Sequence, residues 1–106
     1  MKRVSHSLST DLKFALDSIY GQRLKGPNLY GSYARGEEDE ESDLDILVVL
    51  DQFESYAREV NRTGELATNL SLKHGVTVST VFIRESEWLY GDTPFLSNVR
   101  DEASPL

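Results

Sequence analysis

The segment Leu44–Leu50 restricts the fold of this chain more than any other. Six of its seven residues are apolar, and the exception is Asp45. A strand that is apolar on both of its alternating faces is typically buried on both sides of its sheet, so other elements have to cover each face. Its longest purely apolar stretch, Ile46–Leu50, is far too short to span a bilayer. We therefore predict a buried strand inside a small globular fold.

Helical and extended patterns lie on both sides of this strand. The first predicted element is a helix over Leu8–Ile19, with Ser9 or Thr10 as its cap and an end near Gly21 or Gly26. It is followed by a strand over Pro27–Tyr30, the strand Leu44–Leu50, a helix from Phe53 to His74-Gly75 and a strand over Val76–Ile83. The last two elements are a short helix over Glu85–Leu89 and a helix over Pro94–Glu102 that is capped by Thr93. This order predicts an α/β (α+β) fold, with a small mixed β-sheet of three or more strands and helices packed against it.

Length and composition narrow the classes of protein to consider. The 106 residues predict a single domain over residues 1–106. Cysteine is absent, which excludes disulfides and thiolate metal sites, and no apolar stretch follows Met1-Lys2-Arg3, so we expect a cytoplasmic protein without a secretory signal. The formal net charge of -7 disfavours a duplex-binding surface. We expect neither direct nucleic-acid binding nor a membrane association.

The acidic residues are concentrated in one part of the chain. Eight of them fall between Glu37 and Asp51. The segment Glu37–Glu41 is predicted to be a solvated loop, over which a basic partner could dock. The spacing of the later acids decides whether part of the run binds metal instead.

Asp43 and Asp45 are the candidate metal ligands. Residues two apart in a strand share a face, roughly 6.5–7 Å apart along the chain, and two carboxylates on one face can bind hard cations such as Mg²⁺. Aspartate is a poor strand former, and such a local conflict is typical of a functional site. The structural alternative makes Asp43 a turn or cap residue and Asp45 a charged edge residue.

Gly31-Ser32 forms a second candidate site, at the end of the strand Pro27–Tyr30. A glycine there lets the backbone approach a ligand closely, and the N–H groups of the following turn, with the Ser32 hydroxyl, can bind an anion. Arg35 lies one turn later and adds a charged donor. Gly-Ser pairs alone are weak evidence, because most of them only form turns.

Taken together, the two motifs resemble the signature of a known family. Gly31-Ser32, ten intervening residues and Asp43-x-Asp45 before a strand resemble the polymerase-β-type nucleotidyltransferases, most closely the minimal nucleotidyltransferase (MNT) domains that are partners of HEPN toxins. The segment Thr93–Glu102, with Pro-Phe-Leu-x-Asn-Val, is similar to the tails of these short proteins. The resemblance implies a polymerase-β-like nucleotidyltransferase core.

The resemblance also implies residue roles and a reaction. Ser32 and Gly31 would hold nucleotide phosphates with Arg35 beside them, and Asp43 and Asp45 would bind magnesium. ATP would be the substrate, and the chain would be an antitoxin that transfers AMP to a hydroxyl of a HEPN toxin. Relatives with an additional carboxylate carry it on the next strand, here Val76–Ile83, which has no acidic residue; Ser79 is the best match for that position.

Two alternatives stay open: the missing carboxylate favours the first, and the short chain counts against the second. The first is a non-catalytic antitoxin that neutralises its toxin by binding, with a degenerate nucleotide site. The second is an antibiotic-modifying nucleotidyltransferase that acts as an oligomer. Outside the motifs, Trp88, Tyr90 and Phe95 are consistent with a partner-binding patch or with packing of the last helices. His74 is predicted to lie at the C-terminal end of a helix, where a positive charge interacts favourably with the helix dipole.

Overall fold

The computed structural model describes residues 4–106. Along the chain it has five helices and four strands in this part of the protein, with one 3₁₀ turn at Gly21–Arg23. Their bounds are α1 His6–Tyr20, β1 Leu24–Tyr30, α2 Ser32–Arg35, β2 Leu44–Leu50, α3 Tyr56–His74, β3 Val78–Arg84, α4 Glu85–Tyr90, α5 Pro94–Glu102 and β4 Ser104–Pro105. The α/β fold class predicted above is confirmed.

The strands form one mixed sheet in the order β3-β2-β1-β4. β2 runs antiparallel to β1 and parallel to β3, and β4 pairs antiparallel with the other edge of β1. Because β2 and β3 are parallel, the chain has to cross over between them, and α3 makes that connection. The predicted apolar strand therefore occupies an interior position with a neighbour on each side.

Helices cover both faces of the sheet. On one face, α1 and α3 pack against a core that includes alternate residues of β2 (Leu44, Ile46, Val48 and Leu50), all of them buried. On the other face, Leu47 and Val49 pack against Leu96 and Val99 of α5. The strand is thus apolar at successive positions because each face meets a different layer of helices. No helix within residues 4–106 is long and apolar enough to cross a membrane.

Several predicted boundaries differ from the observed ones. Helix α1 begins earlier than predicted because Ser5, not Ser9 or Thr10, caps it: the Leu8 N–H donates to the Ser5 hydroxyl at 3.0 Å. Helix α3 begins at Tyr56 rather than Phe53, because Ser55 is its cap and Phe53 is buried before it. The predicted ends at Gly21 and Gly75, and the Thr93 cap of α5, are confirmed.

The strand predictions were less accurate at their ends. β1 begins at Leu24 instead of Pro27, and β3 covers Val78–Arg84 instead of Val76–Ile83. The two-residue strand β4 was not predicted, since it is formed only by pairing with β1. Local sequence patterns identified the longer strands, whereas pairing with a neighbour set their limits.

Polar contacts at two places join α1 to α3. In the buried layer, the Tyr20 hydroxyl donates to Oε1 of Glu59 at 2.8 Å. Nearer the surface, Oδ2 of Asp11 lies 2.8 Å from Nζ of Lys73 and 2.9 Å from Nε2 of His74. His74 is thus in the last turn of α3, as predicted, and also has a partner on α1.

We expect Asp11→Asn to lower thermal stability at neutral pH and to have little effect in acid. Hydrogen bonds from Lys73 and then His74 lower the pKa of Asp11 below its ordinary value. The ionised carboxylate therefore stabilises the fold above its unfolded pKa, and this contribution is lost as pH falls through the folded pKa. Thermal denaturation at neutral and at acidic pH measures the effect, and the variant Asp17→Asn, at an exposed position of α1, is the control. An equal loss at both pH values would contradict it.

Candidate active site

Gly31 lies at the junction of β1 and α2, beside Asp45 of β2. Its backbone has φ 75° and ψ -155°, a combination that is essentially restricted to glycine. A Cβ atom built on Gly31 would collide with Oδ2 of Asp45 and lie 3.1 Å from its Cγ. The glycine therefore brings the backbone of the first motif against the carboxylate of the second. The structure joins the two sequence motifs at this point.

Asp45 is partly buried and Asp43 is exposed. β2 begins at Leu44, as predicted, so Asp43 lies immediately before the strand rather than within it. Burial, and then the charge of Asp43, raise the pKa of Asp45 above its ordinary value. The two carboxylates repel one another across a partly desolvated position. A bound cation would relieve that repulsion.

Ser32 is the first residue of α2, a single helical turn that ends at Gly36. The carbonyl of Gly31 accepts the Arg35 N–H at 3.1 Å, and the carbonyl of Ser32 accepts the Glu37 N–H at 2.9 Å. The N–H groups at the start of a helical turn have no acceptor within the turn, so Ser32 and its neighbours can donate to an anion. The predicted anion site thus lies next to Asp45.

Arg35 has carboxylate partners on both sides. Its Nε lies 3.0 Å from Oε2 of Glu37, and its Nη1 lies 2.8 Å from Oε2 of Glu102. These contacts raise the pKa of Arg35 still further, so the guanidinium stays charged. The predicted phosphate-binding residue is therefore bonded to two acids, one of them 67 residues away along the chain.

Glu102 is a residue of the site that the sequence analysis missed. It is the last residue of α5, and its charge contributes to the raised pKa of Asp45, after burial and Asp43. β4 follows it and pairs Ser104 with Leu29 of β1, which draws the end of α5 towards the site. Nothing in the local sequence marks this position, because only the pairing of β4 with β1 places it there.

Ser79 lies on the same face of the sheet as Asp45. The two residues are register partners in the parallel pair β2 and β3, and partners in such a pair point to the same side. The position expected from the family pattern is therefore adjacent to the candidate metal ligand, but it carries a hydroxyl. Within residues 4–106, no group of three or more acidic, histidine or cysteine side chains is placed to hold a metal ion.

The two aspartates fit a magnesium ion whose other ligands are substrate phosphates and water. Asp43 and Asp45 offer carboxylate oxygens, which Mg²⁺ prefers, and this ion commonly binds through one or two carboxylates together with substrate phosphates and water. Burial, and then the negative charge of Asp43, raise the pKa of Asp45, and a bound cation would favour its ionised form. These two aspartates are the residues that would hold the ion.

Aromatic residues lie beside Asp45 on the same face. The rings of Tyr30 and Phe95 meet edge to face, with centroids 6.1 Å apart. Burial, and then the charge of Asp45, raise the pKa of Tyr30 to about 12. Trp88 packs partly buried against the core of this face, whereas Tyr90 is 82% exposed. The three aromatic residues considered above therefore divide: Trp88 serves packing, Phe95 is half exposed near the site, and Tyr90 faces solvent.

Comparison with known proteins points to the same chemistry as the site. A family model described as a nucleotidyltransferase domain matches residues 18–104. One relative from Methanocaldococcus jannaschii, named "putative protein adenylyltransferase", is 41% identical over 95 residues that cover 87% of each chain. A second protein of that organism with the same description is 31% identical over 86 residues, covering 81% of this chain and 78% of the relative. With Gly31, Ser32, Asp43 and Asp45 all inside the matched region, the chain belongs to the nucleotidyltransferase domain family, of the minimal kind.

Proposed function

We propose that this chain transfers AMP from ATP to a hydroxyl group of a partner protein, with Mg²⁺. The observation that carries the proposal is the close approach of Gly31 to Asp45, beside the single helical turn Ser32–Arg35; it supports an anion-binding turn next to a metal-binding carboxylate. A nucleotide with its magnesium needs an anion-binding turn for the phosphates and carboxylates for the ion. The protein acceptor is supported by the description of the two relatives as protein adenylyltransferases.

In the proposed reaction, an oxygen of the acceptor hydroxyl attacks the α-phosphorus of ATP. A new oxygen–phosphorus bond forms, the bond from the α-phosphorus to the bridging oxygen of the β-phosphate breaks, and pyrophosphate leaves. The hydroxyl proton is lost to solvent. Gly31 and Ser32 hold the phosphates, Arg35 adds a positive charge, and Asp43 and Asp45 hold magnesium. The bound ion supplies neutralisation of the phosphate charge.

The partner in this proposal is a HEPN toxin, which the transferred AMP would inactivate, so that the chain would act as an antitoxin. The family resemblance of the segment Leu29–Leu50 supports this partner. A second candidate function is neutralisation by binding alone, without transfer. It is favoured by one observation: among the residues that the structure describes, β3 offers Ser79 and no carboxylate next to Asp45.

A transfer experiment separates the two functions. The protein is incubated with Mg²⁺, a HEPN partner, and ATP labelled either at the α-phosphate or at the γ-phosphate. We expect label on the partner from α-labelled ATP only, together with release of pyrophosphate. If the toxin is neutralised while neither label is transferred, binding alone is the function. Label from the γ-phosphate would instead indicate a kinase and would overturn the proposal.

We expect Glu102→Gln to strengthen the binding of Mg-ATP by roughly two- to five-fold, the effect of one partly exposed ion pair. The substitution releases Arg35 from one of its two acids and removes a negative charge near Asp45. Isothermal titration calorimetry of the parent and variant measures it. Glu65→Gln, at an exposed position of α3, is the control. Weaker binding by Glu102→Gln would instead make Glu102 a ligand of the magnesium.

A further inference from the structure

One residue of the acidic segment Glu37–Glu41 is buried, which corrects the prediction of a uniformly solvated loop. Glu38 is only 8% exposed, while Glu37 and Glu40 are exposed. Its Oε2 is buried and has no hydrogen-bond partner within residues 4–106. An unpaired buried carboxylate is unfavourable, and folding does not require an acid here. A residue of this kind points to a partner that binds from outside.

Glu38 lines a cavity of about 400 Å³ on one side of α2. Val4, Leu29 and Ala34 contribute apolar walls, and Tyr33 contributes an aromatic ring. Burial, and then the charges of Glu38 and Asp39, raise the pKa of Tyr33, so its hydroxyl stays protonated close to the carboxylate. The cavity thus combines apolar walls with a buried acid.

Arg35 also lines this cavity, but its hydrogen bonds go elsewhere. Its Nε and Nη1 are bonded to Glu37 and Glu102. The guanidinium therefore does not supply the missing partner of Glu38. Glu38 thus lines the cavity with a carboxylate whose Oε2 has no partner in the described part of the chain.

We propose that this cavity binds a basic side chain, arginine or lysine, of the partner protein, with Glu38 pairing with its charge. The apolar walls suit the aliphatic stem of such a side chain. The negative charge of Glu38 disfavours a phosphate group in this cavity, and a lone magnesium ion needs more oxygen ligands than one carboxylate in an apolar cavity provides. The net charge of -7 favours a basic partner in general, and the cavity specifies one point of contact.

The location of the cavity means that this contact would position the partner protein beside the phosphate-binding turn. Tyr33, Ala34 and Arg35 line it, and they directly follow Ser32 in the same helical turn. A partner that inserts a basic side chain here is therefore held beside the phosphate-binding turn. This inference rests on the proposed function, since that function supplies the protein partner. It deepens that proposal by naming what the partner presents.

The test uses a small probe, so that it does not depend on transfer. The full chain, labelled with ¹⁵N, is titrated with N-acetyl-arginine amide, and with the neutral isostere N-acetyl-citrulline amide as a matched ligand. We expect saturable amide shifts at Leu29, at Tyr33–Gly36 and at Glu38 with the arginine probe alone. Glu38→Gln is expected to weaken binding about ten-fold, the effect of losing a hydrogen bond between charged groups. Glu40→Gln, in the same loop, is expected to leave it unchanged.

Each other outcome overturns the inference. Equal binding by the parent and Glu38→Gln, or by the charged and neutral probes, removes the role of the carboxylate. The same shifts with Mg²⁺ alone assign the cavity to a metal. Binding that appears only after Lys2→Ala and Arg3→Ala shows that the chain's own basic residues fill it. A failure of AMP transfer leaves the probe result intact, so the two proposals fail separately.

Discussion

Replacing Asp43 and Asp45 together by asparagine is expected to lower AMP transfer on the order of 10³-fold, the scale of losing charge stabilisation in an active site. Asp45 lies against Gly31 and Asp43 is two residues before it, and asparagine retains the size of both side chains without the negative charge proposed to bind Mg²⁺. The measurement is single-turnover transfer from α-labelled ATP to the partner. Asp17→Asn, at an exposed position of α1, is the matched control and is expected to retain full activity.

The single variant Asp45→Asn tests whether a loss of activity could come from unfolding. The pKa of Asp45 is raised by burial and then by Asp43, so the ionised carboxylate is less favourable in the folded chain than in the unfolded chain. Stability is therefore lost as pH rises through the folded pKa of Asp45, and a neutral asparagine does not incur that loss. We expect Asp45→Asn to unfold at the same or a higher temperature than the parent at neutral pH, without magnesium. Transfer that survives the double substitution would assign the chemistry to other residues.

Gly31→Ala is expected to cost about 1–3 kcal/mol of stability and to reduce transfer on the order of 10²-fold. The stability cost follows from a backbone conformation that non-glycine residues rarely adopt, with φ 75° and ψ -155°. The loss of activity follows from the collision of the new methyl group with the carboxylate of Asp45, which has to move. Chemical denaturation and the transfer assay measure the two effects.

Substitutions at two other glycines distinguish the effect of backbone strain from that of the steric collision with Asp45. Gly36 has φ 72° with open space around its missing Cβ, so Gly36→Ala is expected to cost about 1–2 kcal/mol while perturbing Asp45 less. Gly64 lies within α3, also with open space, so Gly64→Ala is expected to stabilise the chain by about 0.5–1 kcal/mol. If all three variants lost activity equally, the contact between Gly31 and Asp45 would have no special role.

The positions of the helices were largely predictable, since their signals are local. Thr93 caps α5 through a hydrogen bond from the Leu96 N–H at 3.2 Å, within three residues of itself. Gly75 ends α3 for an equally local reason. The boundaries that were wrong, such as the start of β1 at Leu24, depend on what the neighbouring strand offers for pairing. Hydrogen bonds between strands join residues far apart in the sequence, so a local sequence pattern does not predict them.

The same division applies to the candidate site. Gly31, Ser32, Asp43 and Asp45 were chosen from their spacing, and the structure brings Gly31 and Asp45 into direct proximity. The roles of these residues in binding and transfer remain predictions. Glu38 and Glu102 were not chosen, because each is one acid among 18 Asp and Glu residues and their surroundings alone distinguish them.

The sequence by itself determined the buried strand Leu44–Leu50, the order of the helices and the family motif, because each rests on residue types at short spacing. The tertiary structure alone decided that Arg35 is bound to Glu102, that Ser79 faces the same side as Asp45, and that the buried Oε2 of Glu38 has no partner among residues 4–106. The physical reason is distance along the chain: burial and ion pairing depend on elements that meet only after the sheet has closed around β2.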